Sequence, residues 1–375
     1  MKKSIFTAFI AALTLCSCGG GKSERYADMP GDTLTHRSEL LTLIDRGDFV
    51  TAEIADPWNS GKRLAAYALV DRNKDIPQGL DKEFTVVAVP LQRSVIFSST
   101  NSAAIAELGA LNAIAAVADG NFYTPSDTVA RLIAQGRITD IGSSMSPDPE
   151  KIVNLEPDAL LVSPFQNAGH GVLEDLGVPV IECADYMENS PLARAEWILF
   201  LGELYGNRQL ARDIFTQVST DYEALTFKAA LSSYRPLVLP ELVVSGVWYV
   251  PGGQSYMATM FADAGAAYPW ADDSSTGSLQ LSIEQVIDKA SDADIWIMRN
   301  FAPLRSNADL LALSPLYSEF KAFHDGRVYN CDTLSKPIFN DIAFHPERVL
   351  LDFIIIFHPE LFPGLECTYY QNLAK

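Results

Sequence analysis

The sequence predicts an α/β protein in which two Rossmann-like α/β lobes are joined by a single long helix. Three observations lead to this fold class. Short apolar, β-rich segments alternate with helical segments over residues 84–206, the alternation returns over residues 235–375, and an unbroken helical pattern lies between them. Continuous apolar strands separated by helices indicate parallel sheets that are covered on both faces.

The first residues have the composition of a bacterial export signal. Two lysines precede an apolar run from Ile5 to Leu15, and the segment Leu15-Cys16-Ser17-Cys18 leads into a run of glycines. The apolar run is shorter than the ~20 residues that a membrane-spanning helix needs, so residues 1–17 are expected to be a signal peptide. The closing tetrapeptide resembles a lipobox. It predicts lipidation of Cys18 and a location in the cell envelope, at the periplasmic face of a membrane, held by acyl chains alone.

Two short regions are expected before the first lobe. Residues 18–48 begin with a Gly-, Ser- and Asp-rich stretch, which predicts a lipid-anchored, flexible tether. Residues 49–83 contain two strand-like segments around the turn Asp56-Pro57-Trp58-Asn59-Ser60-Gly61, which predicts a small N-terminal β element. We expect this element to pack on the first lobe.

The first lobe is predicted over residues 84–206. Its strand-like segments are separated by helical segments, one of which ends at Gly109, a typical helix C-terminal residue. The predicted strands are Val95–Ser99, Ala113–Ala118, Ala159–Val162 and Val178–Glu182. A single helix is predicted over Pro191–Tyr205.

The interlobe helix is predicted over residues 207–234. Apolar residues recur there at helical spacing, with charged residues between them: Leu210, Ile214, Val218, Tyr222 and Leu225. The second lobe then occupies residues 235–375. Its predicted strands are Leu237–Val244, Trp248–Val250, Asp294–Met298 and Val328–Asn330, with helices over Ser255–Gly265 and Ile283–Ser291.

Charge and cysteine content exclude several classes of function. The formal net charge is −19, and loss of Lys2 and Lys3 with the leader makes it −21, because residues 1–17 contain no acid. Such a surface repels nucleic acid. Outside the leader, Cys183, Cys331 and Cys367 are far apart and form no CxxC pair, so no metal site is predicted and any disulfide pairing stays open.

Enzymatic motifs are missing from the sequence. It contains no nucleophile elbow, phosphate-binding loop, dinucleotide fingerprint or His-Glu-x-x-His motif. The adjacent acids Asp272 and Asp273 near Trp270 leave one alternative from another class, a secreted hydrolase. We expect a protein that is not an enzyme and needs no cofactor.

One stretch of the first lobe carries a family resemblance. The segment from Asp140-Ile141-Gly142 through Ser146-Pro147-Asp148-Pro149-Glu150 to Glu156-Pro157-Asp158-Ala159-Leu160 resembles the substrate-binding proteins of ABC importers for iron complexes and cobalamin. These proteins form the helical-backbone class of periplasmic binding proteins. The resemblance continues through the long helix and Leu281-Ser282-Ile283-Glu284-Gln285-Val286, and it covers roughly residues 90 to 360. Glu156 stands where the family usually has Lys.

The resemblance implies partners and a docking mechanism. The partners would be a small-molecule ligand and an ABC permease dimer with its ATPase. Glu150 and Glu284 each lie near the start of a helix, one in each lobe. Members of the family use one glutamate per lobe to meet arginines on the two permease subunits, so these two residues are the expected docking residues.

The ligand is expected in the cleft between the lobes, where loops after the strand ends face each other. The expected ligand-binding residues are Phe122, Tyr123, Phe165, Trp248, Tyr249, Tyr256, Arg299 and Lys336. An iron complex, a ferric siderophore or haem, is favoured because Arg299 and Lys336 could neutralise an anionic chelate. Cobalamin is the alternative, because Trp248, Tyr249, Phe122 and Tyr123 could enclose a corrin ring.

Overall fold

The computed structural model describes residues 30–123, 127–301 and 304–374. The predicted signal peptide, Cys18 and the start of the tether lie outside these residues. Among the helices that are described, none is both long enough and apolar enough to cross a bilayer.

A five-stranded sheet precedes the first lobe, in the order β1-β2-β3-β4-β5. Its strands are β1 (Asp32–Thr33), β2 (Leu41–Asp45), β3 (Phe49–Ala55), β4 (Arg63–Asp71) and β5 (Thr85–Val89). Neighbouring strands are antiparallel except β4 and β5, which are parallel. The β element therefore extends beyond the predicted 49–83 at both ends, because β1 and β2 fall inside the region expected to be a tether and β5 falls inside the region expected to begin the first lobe. Leu41 and Leu43 point into the core on either side of exposed Thr42, the alternation of a half-buried strand.

This sheet packs on the first lobe. Leu43, Ile54 and Tyr67 belong to the same buried cluster as Ile96 and Ile105 of the lobe. The Tyr67 hydroxyl also donates a hydrogen bond of 3.0 Å to the Val180 carbonyl and accepts one of 2.9 Å from the amide of Glu182. Both apolar burial and hydrogen bonds therefore attach the N-terminal sheet to the lobe.

The first lobe is built on a parallel sheet in the order β12-β11-β6-β7-β8. Its strands are β6 (Ser94–Ile96), β7 (Ile114–Val117), β8 (Thr139–Asp140), β11 (Ala159–Val162) and β12 (Val180–Glu182), and a hairpin of β9 (Gly142–Ser143) and β10 (Ser146–Pro147) follows β8. The helices are α1 (Ser99–Glu107), α2 (Thr128–Ala134) and α3 (Pro149–Asn154). The central strands β6 and β11 are buried throughout, as continuous apolar strands predict.

Three helices lead from the first lobe to the second: α4 (Pro191–Ala195), α5 (Ile198–Leu204) and α6 (Arg208–Ala229). The single helix predicted over Pro191–Tyr205 is divided, because the amides of Trp197 and Leu199 bond to carbonyls three residues earlier and tighten the turn. The long helix α6 has 22 residues, or about 33 Å at 1.5 Å per residue. The prediction of one long helix is confirmed.

The second lobe contains two sheets. One has the order β13-β17-β18-β19, parallel except for its last strand, and is formed by β13 (Val238–Pro240), β17 (Ile295–Asn300), β18 (Val328–Asp332) and β19 (Gln371–Asn372). The other is antiparallel and is formed by β14 (Val243–Val244), β15 (Val247–Pro251) and β16 (Ser278–Leu281). The helices are α7 (Tyr256–Asp263), α8 (Ile283–Ala290), α9 (Asn307–Leu313), α10 (Lys321–His324), α11 (Ile338–Phe344) and α12 (Pro346–Phe357).

The predicted strand over Leu237–Val244 is divided between these two sheets. Glu241 has a φ of 65°, in the left-handed region that non-glycine residues rarely adopt. This conformation turns the chain out of the parallel sheet after β13 and into β14.

Candidate functional site

A cavity of about 650 Å³ lies between the two lobes. Its lining residues follow the carboxyl ends of strands in both parallel sheets, as at Asp119 after β7, Ser163 after β11, Phe301 after β17 and Thr333 after β18. Ligands of open α/β sheets bind at this edge, and the volume is within the usual range for small-molecule sites.

Two helices begin at the cavity, one from each lobe. Ser98 caps α1 and accepts a hydrogen bond of 3.5 Å from the Asn101 amide, and Ser255 caps α7 and accepts one of 3.2 Å from the Ala258 amide. Both serines line the cavity. The positive ends of two helix dipoles therefore face the enclosed space.

Tyrosines supply much of the first-lobe wall. Tyr123 is buried and shares a hydroxyl–hydroxyl hydrogen bond of 2.8 Å with Ser102. Tyr186 donates to the Pro164 carbonyl. Burial raises the pKa of Tyr123 and raises that of Tyr186 to about 12. Both phenols therefore stay protonated at neutral pH and offer the cavity neutral aromatic surface.

A buried ion pair forms the wall near the interlobe connection. The Arg194 Nε atom of α4 lies 3.0 Å from Asp185 Oδ2, and both side chains are less than a tenth exposed. Arg194 also stacks on the ring of Tyr256, with 4.7 Å between the guanidinium carbon and the ring centre. Burial raises the pKa of Asp185 although Arg194 opposes the shift. Arg194 and Tyr256 both line the cavity and join the two lobes there.

A second guanidinium, that of Arg299 near the end of β17, also lines the cavity. Its Nε atom donates a hydrogen bond of 2.7 Å to Glu241 Oε1, and Nη2 donates to the same oxygen. Burial opposes the charged form, but Glu241, Tyr256 and Tyr370 together outweigh it and raise the pKa of Arg299. The Arg299 guanidinium carbon lies 5.4 Å from the Phe339 ring centre, and Phe339 stacks with Phe301 at 6.0 Å.

Three of the predicted ligand-binding residues line this cavity: Tyr123, Tyr256 and Arg299. Lys336 lines a small adjoining cavity that shares Tyr123 and Phe339 with the main one. Phe165 lines a separate cavity of about 460 Å³ on the first lobe, which meets the main cavity at Phe97 and Ser163.

The structure places two predicted ligand-binding residues elsewhere. The Trp248 indole is fully buried in the second-lobe core and stacks on Trp296 at 5.8 Å, because its side chain points inward from β15 and its Nε1 donates to the Pro240 carbonyl. Tyr249, the next residue of the strand, points the other way and is 40% exposed, outside the residues that line the cavity. The Phe122 side chain is outside what the structure describes.

Several residues of the cavity lining were missed from the sequence, among them Tyr186 and Arg194. Arg194 lies within Leu192-Ala193-Arg194-Ala195, a helical segment whose other residues are small or apolar. A charged residue in such surroundings is a signal of a buried pair, but the sequence does not show that this helix reaches the cavity. Among the described residues no group of three or more His, Cys, Asp or Glu side chains is arranged to hold a metal ion.

Glu150 and Glu284 occupy the same position in the two lobes. Each is exposed and is the second residue of a capped helix: Asp148 caps α3 before Glu150, and Ser282 caps α8 before Glu284. The helix that each begins leads to a strand, β11 or β17, whose carboxyl end reaches the cavity. Hydrogen bonds from the Glu284 amide and from Ser282 lower the pKa of Glu284.

Two lobes, one connecting helix and a cavity at the facing strand ends define the class of two-lobed binding proteins. A family model for periplasmic binding proteins matches residues 95–333. The chain belongs to this family, as the sequence resemblance predicted. The family consists of binding proteins and not of enzymes, so the hydrolase alternative is set aside. Asp273 instead accepts a hydrogen bond of 2.8 Å from the Ser275 amide within a turn.

Individual proteins also resemble the chain in sequence or in fold. Two uncharacterized lipoproteins of Methanocaldococcus jannaschii are each 28% identical to the chain, one over 88% of this chain and 82% of its own length, the other over 87% and 85%. A periplasmic haem-binding protein from Pseudomonas aeruginosa has a TM-score of 0.59 at 20% identity, over 76% of this chain and 99% of that one. A vitamin B12-binding protein of Vibrio cholerae has a TM-score of 0.54 at 16% identity, over 72% and 97%. At such identities the solved structures show a shared fold.

Proposed function

We propose that this protein is the substrate-binding lipoprotein of an ABC importer and that it captures an iron complex, a ferric siderophore or haem, in the cavity between its lobes. The observation that carries the proposal is the cavity itself, which both lobes line with residues at their strand ends. A ligand held there contacts both lobes at once, and its affinity therefore depends on how the lobes are placed relative to each other.

The position of the predicted residues favours an iron complex over cobalamin. Of the aromatic residues expected to enclose a corrin ring, Trp248 lies in the core and Tyr249 lies outside the cavity lining. Arg299 lines the cavity and Lys336 lines the adjoining space, so N–H donors that suit the oxygen atoms of an iron chelate face a ligand there. Structural neighbours include both haem-binding and vitamin B12-binding proteins, so cobalamin remains the alternative ligand.

Lipid anchoring and permease docking complete the proposal. The lipobox-like sequence at Cys18 and two relatives that are named lipoproteins support an acyl anchor. Glu150 and Glu284, equivalent in the two lobes, would meet basic residues of the two permease subunits. Matched carboxylates on two pseudo-equivalent lobes suit a permease with two-fold symmetry.

Titration calorimetry with purified protein tests the ligand. The panel is a ferric hydroxamate, a ferric catecholate, haemin and cyanocobalamin. We expect saturable binding, micromolar or tighter, of at least one iron complex. Binding of cyanocobalamin alone would reverse the choice of ligand, and no binding across the panel would contradict the importer proposal.

A further inference from the structure

Both arginines of the cavity are already paired with carboxylates. Arg299 is held by Glu241, and Arg194 is held by Asp185. Each of these four side chains is less than a fifth exposed. The pairs are therefore shielded from solvent, and each carboxylate offsets the charge of its guanidinium at short range. The arginines reach the cavity as hydrogen-bond donors whose charge is largely balanced.

Glu241 is held in place by its backbone as well as by Arg299. It follows β13, and Arg299 ends the neighbouring strand β17, so both residues lie at the same edge of the sheet. The Trp296 indole donates a hydrogen bond of 2.7 Å to the Glu241 carbonyl, and the Arg299 amide donates one of 3.2 Å to Glu241 Oε2. The left-handed backbone of Glu241 is unfavourable for a residue other than glycine, and these contacts must offset that cost.

The remaining charges near the cavity do not create a positive excess. The cations that line the main and adjoining cavities are Arg194, Arg299 and Lys336. The carboxylates that line these cavities or pair with the cations are Asp119, Asp127, Asp185 and Glu241. The whole chain, these residues included, has a formal net charge of −19. The formal charges therefore oppose the approach of an anion, and the helix ends at Ser98 and Ser255 contribute only partial positive charges against them.

We propose that the cavity selects metal complexes without net negative charge and that Glu241 determines this specificity by neutralising Arg299. This inference depends on the proposed function and names the ligand class within it. Ferric ion bound by three singly charged hydroxamates is neutral, whereas three catecholates leave the complex strongly anionic. The expected ligand is a neutral ferric hydroxamate or another uncharged complex, and the carboxylates of haem count against tight binding.

The expectation that Arg299 neutralises an anionic chelate is thereby revised. That expectation treated the residue as an unpaired cation. In the structure an added anionic group near Arg299 would also lie near Glu241, and the repulsion would cancel much of the attraction. The donors of Arg299 outside its contact with Glu241 suit neutral oxygen acceptors.

Matched ligand pairs test the inference. One pair is a neutral ferric trihydroxamate and the same complex bearing one added carboxylate, and the other is haemin dimethyl ester and haemin. In the wild-type protein we expect the member of each pair that lacks the free carboxylates to bind tighter by about tenfold or more. In Glu241→Gln the preference should shrink or reverse, because Arg299 then carries an unbalanced charge. Exposed Glu319 gives the control Glu319→Gln, which removes one negative charge from the same lobe and should keep the preference.

The outcomes separate this inference from the proposed function. Equal or tighter binding of the carboxylated members by the wild type would overturn the inference while leaving the importer proposal intact. If a folded Glu241→Gln protein keeps the same preference for the ligand without the carboxylate, Glu241 is not the cause of that preference. If thermal unfolding shows that this variant does not fold, Asp185→Asn, which releases Arg194, should shift the preference in the same direction. No binding of any member would contradict the proposed function and the inference with it.

Discussion

The guanidinium carbon of Arg194 lies 4.7 Å from the centre of the Tyr256 ring, and this contact joins the interlobe connection to the second lobe. Arg194 is on α4, Tyr256 is the first residue of α7, and both line the cavity. A cation over a desolvated aromatic ring is stabilised by up to about 2 kcal/mol. The same ring therefore shapes the cavity wall and holds the arginine.

Tyr256→Ala should weaken ligand binding by about tenfold or more, because it removes a central aromatic wall and the support of Arg194. Titration calorimetry with the tightest ligand of the panel measures the change. Tyr234→Ala is the matched control, since Tyr234 is 48% exposed and outside the cavity lining. Equal affinities of the wild type and Tyr256→Ala would show that the ligand does not use this wall.

The double variant Glu150→Ala, Glu284→Ala should lower ATP-driven uptake by about tenfold or more and leave ligand affinity unchanged, because both glutamates are exposed away from the cavity lining. Uptake is measured in vesicles that contain the permease and its ATPase. The control is Asp213→Ala, Glu319→Ala, which removes two exposed acids elsewhere. If the double variant loses ligand affinity but still docks normally, the two glutamates belong to the ligand site and not to the docking surface.

His345 should make stability depend on pH. Its Nε2 lies 2.8 Å from Glu107 of α1 and its Nδ1 3.0 Å from Glu347 of α12. Burial opposes the charged ring, but the hydrogen bonds to these two carboxylates outweigh it and raise the pKa of His345 from 6.5 to about 9. Because the folded-state pKa is the higher one, the stabilisation is complete below the unfolded pKa and is lost as the pH rises through about 9.

Urea unfolding of the wild type and His345→Gln measures this effect. The stability difference between them should be roughly 2 kcal/mol larger at about pH 6 than at about pH 10. Exposed His324 supplies the control His324→Gln, for which we expect no such change. A difference that is constant over this range would show that His345 is not charged in the folded protein.

Glu196 should be needed to hold the N-terminal sheet. Its carboxylate is almost fully buried and accepts hydrogen bonds from the amides of His36, Arg37 and Ser38 at 2.8, 2.9 and 2.8 Å. In Glu196→Gln the side-chain NH2 group faces backbone amides, and two hydrogen-bond donors cannot bond to each other. The free energy of unfolding in urea should fall by about 2–4 kcal/mol. The neighbouring exposed acid gives the control Glu39→Gln, and an equal loss in both variants would contradict the role of Glu196.

The strands of the first lobe illustrate what local pattern can predict. Ala159–Val162 is a strand with the predicted bounds, because a continuous apolar run between turns has few other solutions. The long helix was equally evident, since its apolar spacing persists over many turns. The sequence also predicts Arg299 and Tyr256 at the cavity, because residues at strand ends or at the start of a helix face the cleft in this topology.

The features that the sequence did not predict depend on contacts between distant residues. Trp248 and Tyr249 are adjacent in one strand, and the sequence does not state which of the two faces the core. Strands β1 and β2 are short, and their place in the fold depends on distant contacts: Glu196 binds the segment between them, and Leu41 and Leu43 of β2 pack in the core of the first lobe. Glu241 looked like part of a strand, and its left-handed backbone depends on the Trp296 indole and on Arg299.

The sequence by itself determined the order of elements and the two-lobed class, because both depend on periodicity and spacing along the chain, and its resemblance to known binding proteins indicated the family and the cleft. Only the tertiary structure decided which side chains share the cavity and which charges are paired there. Asp185 and Arg194 are close in sequence, but Glu241 and Arg299 lie on separate strands. The electrostatic character of the cavity depends on such distant contacts, and a linear pattern of residues does not contain them.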